Sequence, residues 1–311
     1  MSAETLSPVR VGITPPDSLI RAPLAKKREL AATIADAGID HLFFADHVSF
    51  RGGRGMDALL QAGAMAMLDD RLEMHLGVYL LPLRHPVVVA RQLSTVSELA
   101  PGRISFGVGV GGEDRHESWV CGVDPATRGR RTDESLLILR GLLAGEMVDH
   151  EGEFFQLEQA QILPAPDPPI PIIIGGRSDA AVRRAGRFGE GWLGSWASPK
   201  RFAAVVEMSA AIAAEEGRSV HWRHGLQTWC GIGADRTEGR DRVAKGMESF
   251  YRLPFSAFEK YTPYGSPEQV AEVLGSYMDV GCRSFNLTPM AASGQEAIEA
   301  VATIKSLLAS G

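Results

Sequence analysis

The sequence predicts an α/β protein of the (β/α)8 TIM barrel class. Across 311 residues, eight short runs rich in β-branched and aromatic residues alternate with helical stretches. One run, 170–174, is nearly all apolar, as in parallel strands buried on both faces. The residues that are unusual for their positions fall just after successive strands, where barrel enzymes carry their sites. A doubly wound open sheet shares the alternation and is the main rival. The chain has no Walker-type phosphate loop, and Gly107-Val108-Gly109 is only half of a dinucleotide fingerprint.

The elements follow in order. Residues 9–13 form a strand stopped by Pro15-Pro16, and a helix over 24–37 ends at Gly38. A second strand, 41–45, runs into Asp46-His47, and Asp57 then caps a helix over 58–68. The third strand, 74–81, contains Gly77, which marks a bulge or a close ligand approach. Pro86 opens the helix over 87–99. The fourth strand, 103–108, enters a turn containing Gly109, Gly111 and Gly112, and Glu113 follows. One insertion, 111–131, precedes a helix over 132–143, and another interrupts the rhythm near 146–169 as an added segment or lid.

After the strand at 170–174 come Gly175-Gly176-Arg177-Ser178 and a helix over 179–188. A sixth strand at 191–194, a helix over 198–216, a seventh strand within 224–232 and helices over much of 235–279 continue the alternation. An eighth strand, 283–287, and a helix over 295–308 complete it, and the whole chain reads as one domain.

The net charge of −6 argues against a nucleic-acid surface or a basic membrane patch, and favours a small-molecule substrate. Three widely spaced cysteines, without paired ligand spacing, indicate neither a disulfide framework nor a metal site. The first ten residues lack an apolar signal core and no apolar run has membrane length, so a cytoplasmic protein is expected.

Each candidate site residue has a plain alternative. Glycines 109, 111 and 112 offer bare backbone N–H groups to a ligand, with Glu113 placed for chemistry; a tight connection with a solvated glutamate would read the same. His47 is either a structural histidine or a titrating group, and Asp46 either a ligand contact or a turn cap. Gly175, Gly176, Arg177 and Ser178 present amides, a guanidinium and a hydroxyl at a helix start, which suits one phosphate. Trp192 and Trp196 are core aromatics or a platform beside a flat ring. The clusters Arg128 to Arg131 and Arg183-Arg184 read as solvated helix faces. The helix over 58–68 is apolar almost all round; with that over 87–99 it predicts a homodimer.

Several segments resemble the bacterial luciferase-like superfamily of flavin- and deazaflavin-dependent oxidoreductases. They are Ala45-Asp46-His47, Gly77 through Leu81-Pro82-Leu83-Arg84-His85-Pro86, Leu99-Ala100-Pro101-Gly102-Arg103 through Gly109, and Pro169 through Gly176. Gly189-Glu190-Gly191-Trp192 and Gly265-Ser266-Pro267-Glu268 extend the likeness over most of the chain. The resemblance implies a barrel that binds coenzyme F-420, or alternatively FMN, at its C-terminal mouth. It also implies a cis peptide at the Gly77-Val78 bulge against the back of the ring, a histidine matching His47 near the reactive ring position, and a glutamate matching Glu113 as proton donor. After His47, Val48-Ser49-Phe50 lacks the tryptophan of the sugar-phosphate dehydrogenase branch, which argues against glucose 6-phosphate as substrate. The expected activity is hydride transfer between F-420 and a small organic molecule. FMN-dependent monooxygenation and non-catalytic flavin binding are the alternatives.

Overall fold

The computed structural model describes residues 8–112 and 114–310. Their contacts gather into two compact units, one of residues up to Leu42, Gly194–Glu207 and residues from Arg223, the other of Phe43–Leu193 and Met208–Trp222. Parallel strands alternate with helices in both, and the fold is a (β/α)8 barrel.

In the first unit, β1 (Arg10–Ile13) lies between β2 (His41–Phe44) and β12 (Ser284–Met290), and β12 continues to β10 (Gly225–Ile232) and the short β11 (Tyr264–Gly265). Gly12 faces the imidazole of His41 so closely that a Cβ would overlap it, and His41 Nε2 meets Asn286 Oδ1 at 2.7 Å. Helices α1 (Asp17–Arg21) and α2 (Leu24–Asp36) follow β1. The expected stop at Gly38 is present, with φ +79°.

The second unit carries the strands that matter for the site. After β2, α3 (Ala58–Ala66) starts at Asp57, whose carboxylate accepts from the N–H groups of Leu59 and Leu60 at 3.0 Å each. The expected third strand is divided into β3 (Glu73–Leu76) and β4 (Tyr79–Leu80), which flank a cis peptide at Gly77-Val78. Pro86 opens α4 (Pro86–Leu99). Strand β5 (Ile104–Gly109) pairs with β3, β4 and β8 (Ile172–Gly175), and β8 pairs with β9 (Gly191–Gly194). The turn before β5 is fixed by Arg103, which donates to the carbonyls of Ala66, Asp69 and Leu72 at 3.1–3.2 Å.

Two departures from expectation lie in the first insertion. It contains a short helix, α5 (Arg115–Val120), capped by Asp114, and α6 (Arg128–Leu143) begins four residues before the expected start at Thr132. The Arg128-Gly129-Arg130-Arg131 run is a poor helix start by composition, yet it is tied down from outside. Arg184 donates to the Gly129 carbonyl at 3.2 Å, and Arg131 to the Pro82 carbonyl at 2.9 Å.

The second insertion is an antiparallel hairpin of β6 (Val148–Glu151) and β7 (Gln156–Ala160). It is held on α6 by Glu134, which meets His150 Nε2 at 3.0 Å and accepts from the Phe155 N–H at 2.8 Å. Arg131 lies over the Phe155 ring, whose edge meets His85. The remaining helices are α7 (Asp179–Phe188), α8 (Pro199–Glu215), α9 (Arg236–Tyr251), α10 (Pro267–Met278) and α11 (Gly294–Ser310). A capping box between Ser266 and Gln269 starts α10, which accounts for the Gly265-Ser266-Pro267-Glu268 segment.

Candidate active site

The candidate site is built at the C-terminal ends of β2, β4, β5 and β8 and at Trp192 on β9, all within the second unit. At the end of β2 the chain needs a rigid exit, and Asp46 supplies it. Its buried carboxylate accepts from the N–H groups of Ala58 at 3.1 Å and Leu80 at 3.0 Å, and from both terminal nitrogens of Arg84 at 2.6 and 3.0 Å. Burial pushes this carboxyl above its ordinary value, and the charge of Arg84 opposes the rise. Arg84 also reaches Asp57 at 3.0 Å and lies 4.2 Å from the centre of the Tyr79 ring. Asp46 therefore joins the start of α3, β4 and the turn before α4 in one knot.

That knot delivers the next residue, His47, to a partly open position, with 20% of its side chain exposed. Its ring stacks on Phe50 at 4.1 Å, and its Nδ1 lies 3.2 and 3.3 Å from the two carboxylate oxygens of Glu117 on α5. The loop is held at both ends. His47 N–H donates to the Met56 carbonyl at 3.2 Å, Phe50 and Arg54 exchange backbone hydrogen bonds, and Arg51 N–H donates to Asp114 at 2.7 Å. Glu117 is absent from the sequence-derived candidates. Its only signal was the helical run that follows a capping Asp114.

The bulge at Gly77-Val78 is seated on glycines. Gly77 N–H donates to the Phe44 carbonyl at 2.8 Å, and the Val78 methyls occupy the places where Cβ atoms of Gly109 and Gly175 would stand. A Cβ on Gly175 would lie 2.7 Å from Val78 Cγ1, and one on Gly107 would overlap the Leu76 carbonyl. These glycines thus have a packing reason beside the expected backbone approach of a ligand.

Beyond β5, Gly111 and Gly112 adopt φ +68° and +138°, and the Arg128 guanidinium stands 3.3 Å from where a Gly112 Cβ would be. Glu113 lies outside the described residues. Beyond β8, Gly176 has φ +127°, and Gly176, Arg177 and Ser178 are exposed. Ser178 is the N-cap of α7, accepting from the Ala181 N–H at 3.3 Å. Trp192 is fully buried on β9 and donates its indole N–H to the Gly176 carbonyl at 2.7 Å, so it braces this turn from beneath. Trp196 has φ +48° and packs against Tyr251 and Phe258 in the other unit's core.

The site thus combines a bracketed imidazole, a backbone bulge over bare strand positions and an exposed helix start. Among the described residues no cluster of three or more His, Cys, Asp or Glu side chains could hold a metal, and no helix is long and apolar enough to cross a membrane.

The family model of luciferase-like monooxygenases matches residues 4–263. The chain belongs to this family. A protein of Kineococcus radiotolerans named F-420-dependent glucose-6-phosphate dehydrogenase is 31% identical over 263 residues, covering 82% of this chain and 72% of the relative. One of the same name from Beutenbergia cavernae is 35% identical over 166 residues, or 50% of this chain; there the match spans about half the relative's length, 48%. Among solved structures, an F-420-dependent secondary alcohol dehydrogenase in complex with an F-420–acetone adduct superposes with a TM-score of 0.83 at 18% identity, covering 97% of this luciferase-like chain and 99% of that one. At that identity the superposition speaks for the fold.

Proposed function

We propose that the chain is an F-420-dependent oxidoreductase that moves a hydride between the deazaflavin ring and a small organic substrate. The observation that carries the reading is the placement of His47, a partly exposed imidazole with one nitrogen committed to a buried carboxylate, just after β2, in a fold whose β8 leads into an anion-ready helix start. The residues present fit the coenzyme. Exposed Gly176, Arg177 and Ser178 at the start of α7 offer amides, a hydroxyl and a positive charge to one phosphate. Val78, pressed against Gly109 and Gly175, offers an apolar ridge to a flat ring. When bound, the deazaflavin supplies or accepts the hydride.

In this reading the chain's own residues bind, orient and move a proton. Glycines 111 and 112 and Arg128 line the approach to further negative charge, and Trp192 keeps the Gly176 turn in place. Asp46 holds His47 in register and does not itself meet the substrate. Hydride delivery to a carbonyl leaves negative charge on oxygen, and a proton donor within hydrogen-bond reach accelerates that step by roughly 100- to 10,000-fold. His47 is such a donor, and Glu113 is the second candidate for the role.

The test is optical titration of the purified apoprotein with F-420 and with FMN. F-420 is expected to bind more tightly, and more weakly as salt is raised, because its tail carries more charge than one phosphate. Equal or tighter binding of FMN at low ionic strength would overturn the reading in favour of an FMN-dependent monooxygenase. Binding without turnover across carbonyl and alcohol substrates would favour a flavin-binding protein.

A further inference from the structure

We propose that Glu117 is the positioning residue of the site: it fixes His47 in the Nδ1–H tautomer and leaves Nε2 as the nitrogen that exchanges the substrate proton. This rests on the reading of His47 as the acid–base group.

The geometry is that of a built partner and not a passing surface contact. Glu117 is buried, and its Oε1 accepts from the Val48 N–H at 2.7 Å and the Ser49 N–H at 3.1 Å. Two fixed amides hold the carboxylate where it is, so it cannot swing away when His47 changes charge. Both oxygens lie 3.2–3.3 Å from Nδ1, and Phe50 stacked on the ring blocks rotation out of that contact. A carboxylate accepts only, so Nδ1 must carry the hydrogen.

Among the described residues, three further charged or titratable groups bear on this loop. Arg51 lies over the Phe50 ring, 5.0 Å from its centre. Asp46, the chain neighbour, is already engaged by Arg84. Cys121, just beyond α5, lies within electrostatic range of Glu117, Asp46 and Arg84. Glu117 is the group in direct contact.

The deazaflavin, were it bound, would supply hydride to a carbonyl carbon, and the C=O electron pair would move to oxygen. The Nε2–H bond of imidazolium breaks and an O–H bond forms. The ring is left neutral, with Nδ1–H still on Glu117, and is reprotonated from solvent. In the reverse direction Nε2 accepts the hydroxyl proton as the carbon gives up hydride.

The decisive measurement needs no coenzyme. In apoprotein with 15N-labelled histidine, NMR is expected to show the Nδ1–H tautomer for His47. Glu117→Gln, whose oxygen can still accept from the Val48 and Ser49 amides while its NH2 turns to Nδ1, should shift the ring toward the Nε2–H tautomer. Glu117→Asp, which retains the charge, should recover part of that shift, and it decides the matter should the Gln variant not fold. In the loaded enzyme, Glu117→Gln should lower kcat at least 10-fold with KM nearly unchanged. An unchanged tautomer in the Gln variant would overturn the proposal, because a merely loop-holding glutamate would leave it unmoved. If the NMR shift occurs but His47→Ala keeps full turnover, the positioning stands and the catalytic reading of His47 falls.

Discussion

Arg84 grips both oxygens of the Asp46 carboxylate, at 2.6 and 3.0 Å, directly behind the candidate imidazole. A buried pair of this kind contributes little over an apolar equivalent, but removing one partner strands a charge and typically costs 3–5 kcal/mol. Arg84→Met is therefore expected to lower the unfolding free energy by about 3–5 kcal/mol in urea titration. Asp46→Asn should cost a comparable amount, because its single amide oxygen can keep only one of the Ala58 and Leu80 N–H bonds, which use different carboxylate oxygens, and Arg84 loses its counter-charge. Equal, small losses in both variants would show the pair to be dispensable.

The seat of Val78 gives a second test. Gly175→Ala places a methyl 2.7 Å from Val78 Cγ1 and should destabilise by about 1–3 kcal/mol through overpacking. Val78→Ala removes the obstructing methyls, so the double variant should regain part of that loss. A double-mutant cycle in urea measures it, and strict additivity of the two changes would mean the strand carries Cβ atoms there without meeting the bulge.

Stability should also depend on pH through His224. Burial pushes this imidazole down to about 4 from its ordinary value of 6.5. Between those values the unfolded chain binds a proton that the folded chain does not. Stability is thus fully present above about pH 6.5, declines as pH falls toward 4, and levels below it, a loss of about 3 kcal/mol. Unfolding curves for the parent and for His224→Leu over this range check the sign. The variant should show a shallower decline, and a parallel one would assign the acid sensitivity to other groups.

We propose that two chains associate through α3 and α4. The apolar residues of α3 divide as expected, with Leu59, Ala62 and Met65 buried while Leu60 is 70% exposed and Met67 48%. On α4, Val88 and Leu99 are also exposed, and Gly63 lets the two helices approach, its Cβ position lying 3.5 Å from Val96. Light scattering is expected to give twice the mass of one chain, and Leu60→Glu with Val88→Glu should halve it. A single-chain mass for the parent at all working concentrations would exclude this association.

Much of this was legible in the sequence because local chemistry determines it. Asp57 caps, Gly38 stops and Pro86 starts their helices by interactions within a few residues. Gly77 announced an irregular strand for the same reason. What was hidden depends on distant partners. Glu117 looks like any helical glutamate, and it acquires meaning only from His47, 70 residues earlier in the chain. Gly109 and Gly175 read as open backbone, whereas the structure also puts Val78 on them. The early start of α6 follows from Arg184 and Arg131 reaching across the fold, which no propensity at Arg128 foretells.

The hairpin of β6 and β7 is fastened to the framework by side chains, chiefly Glu134, with Arg130 paired to Glu153 and Arg131 over Phe155. In engineering terms it is a cassette. Its strands pair with each other and take no part in the parallel sheet, so its length and tip can be exchanged without disturbing the register of β5 on β8. Its attachment rests on Glu134, which meets His150 and the Phe154 and Phe155 amides, and on the Arg130 and Arg131 contacts. Divergence among relatives would then concentrate in this hairpin, leaving the strand ends that carry His47 and the Gly175 turn unaltered.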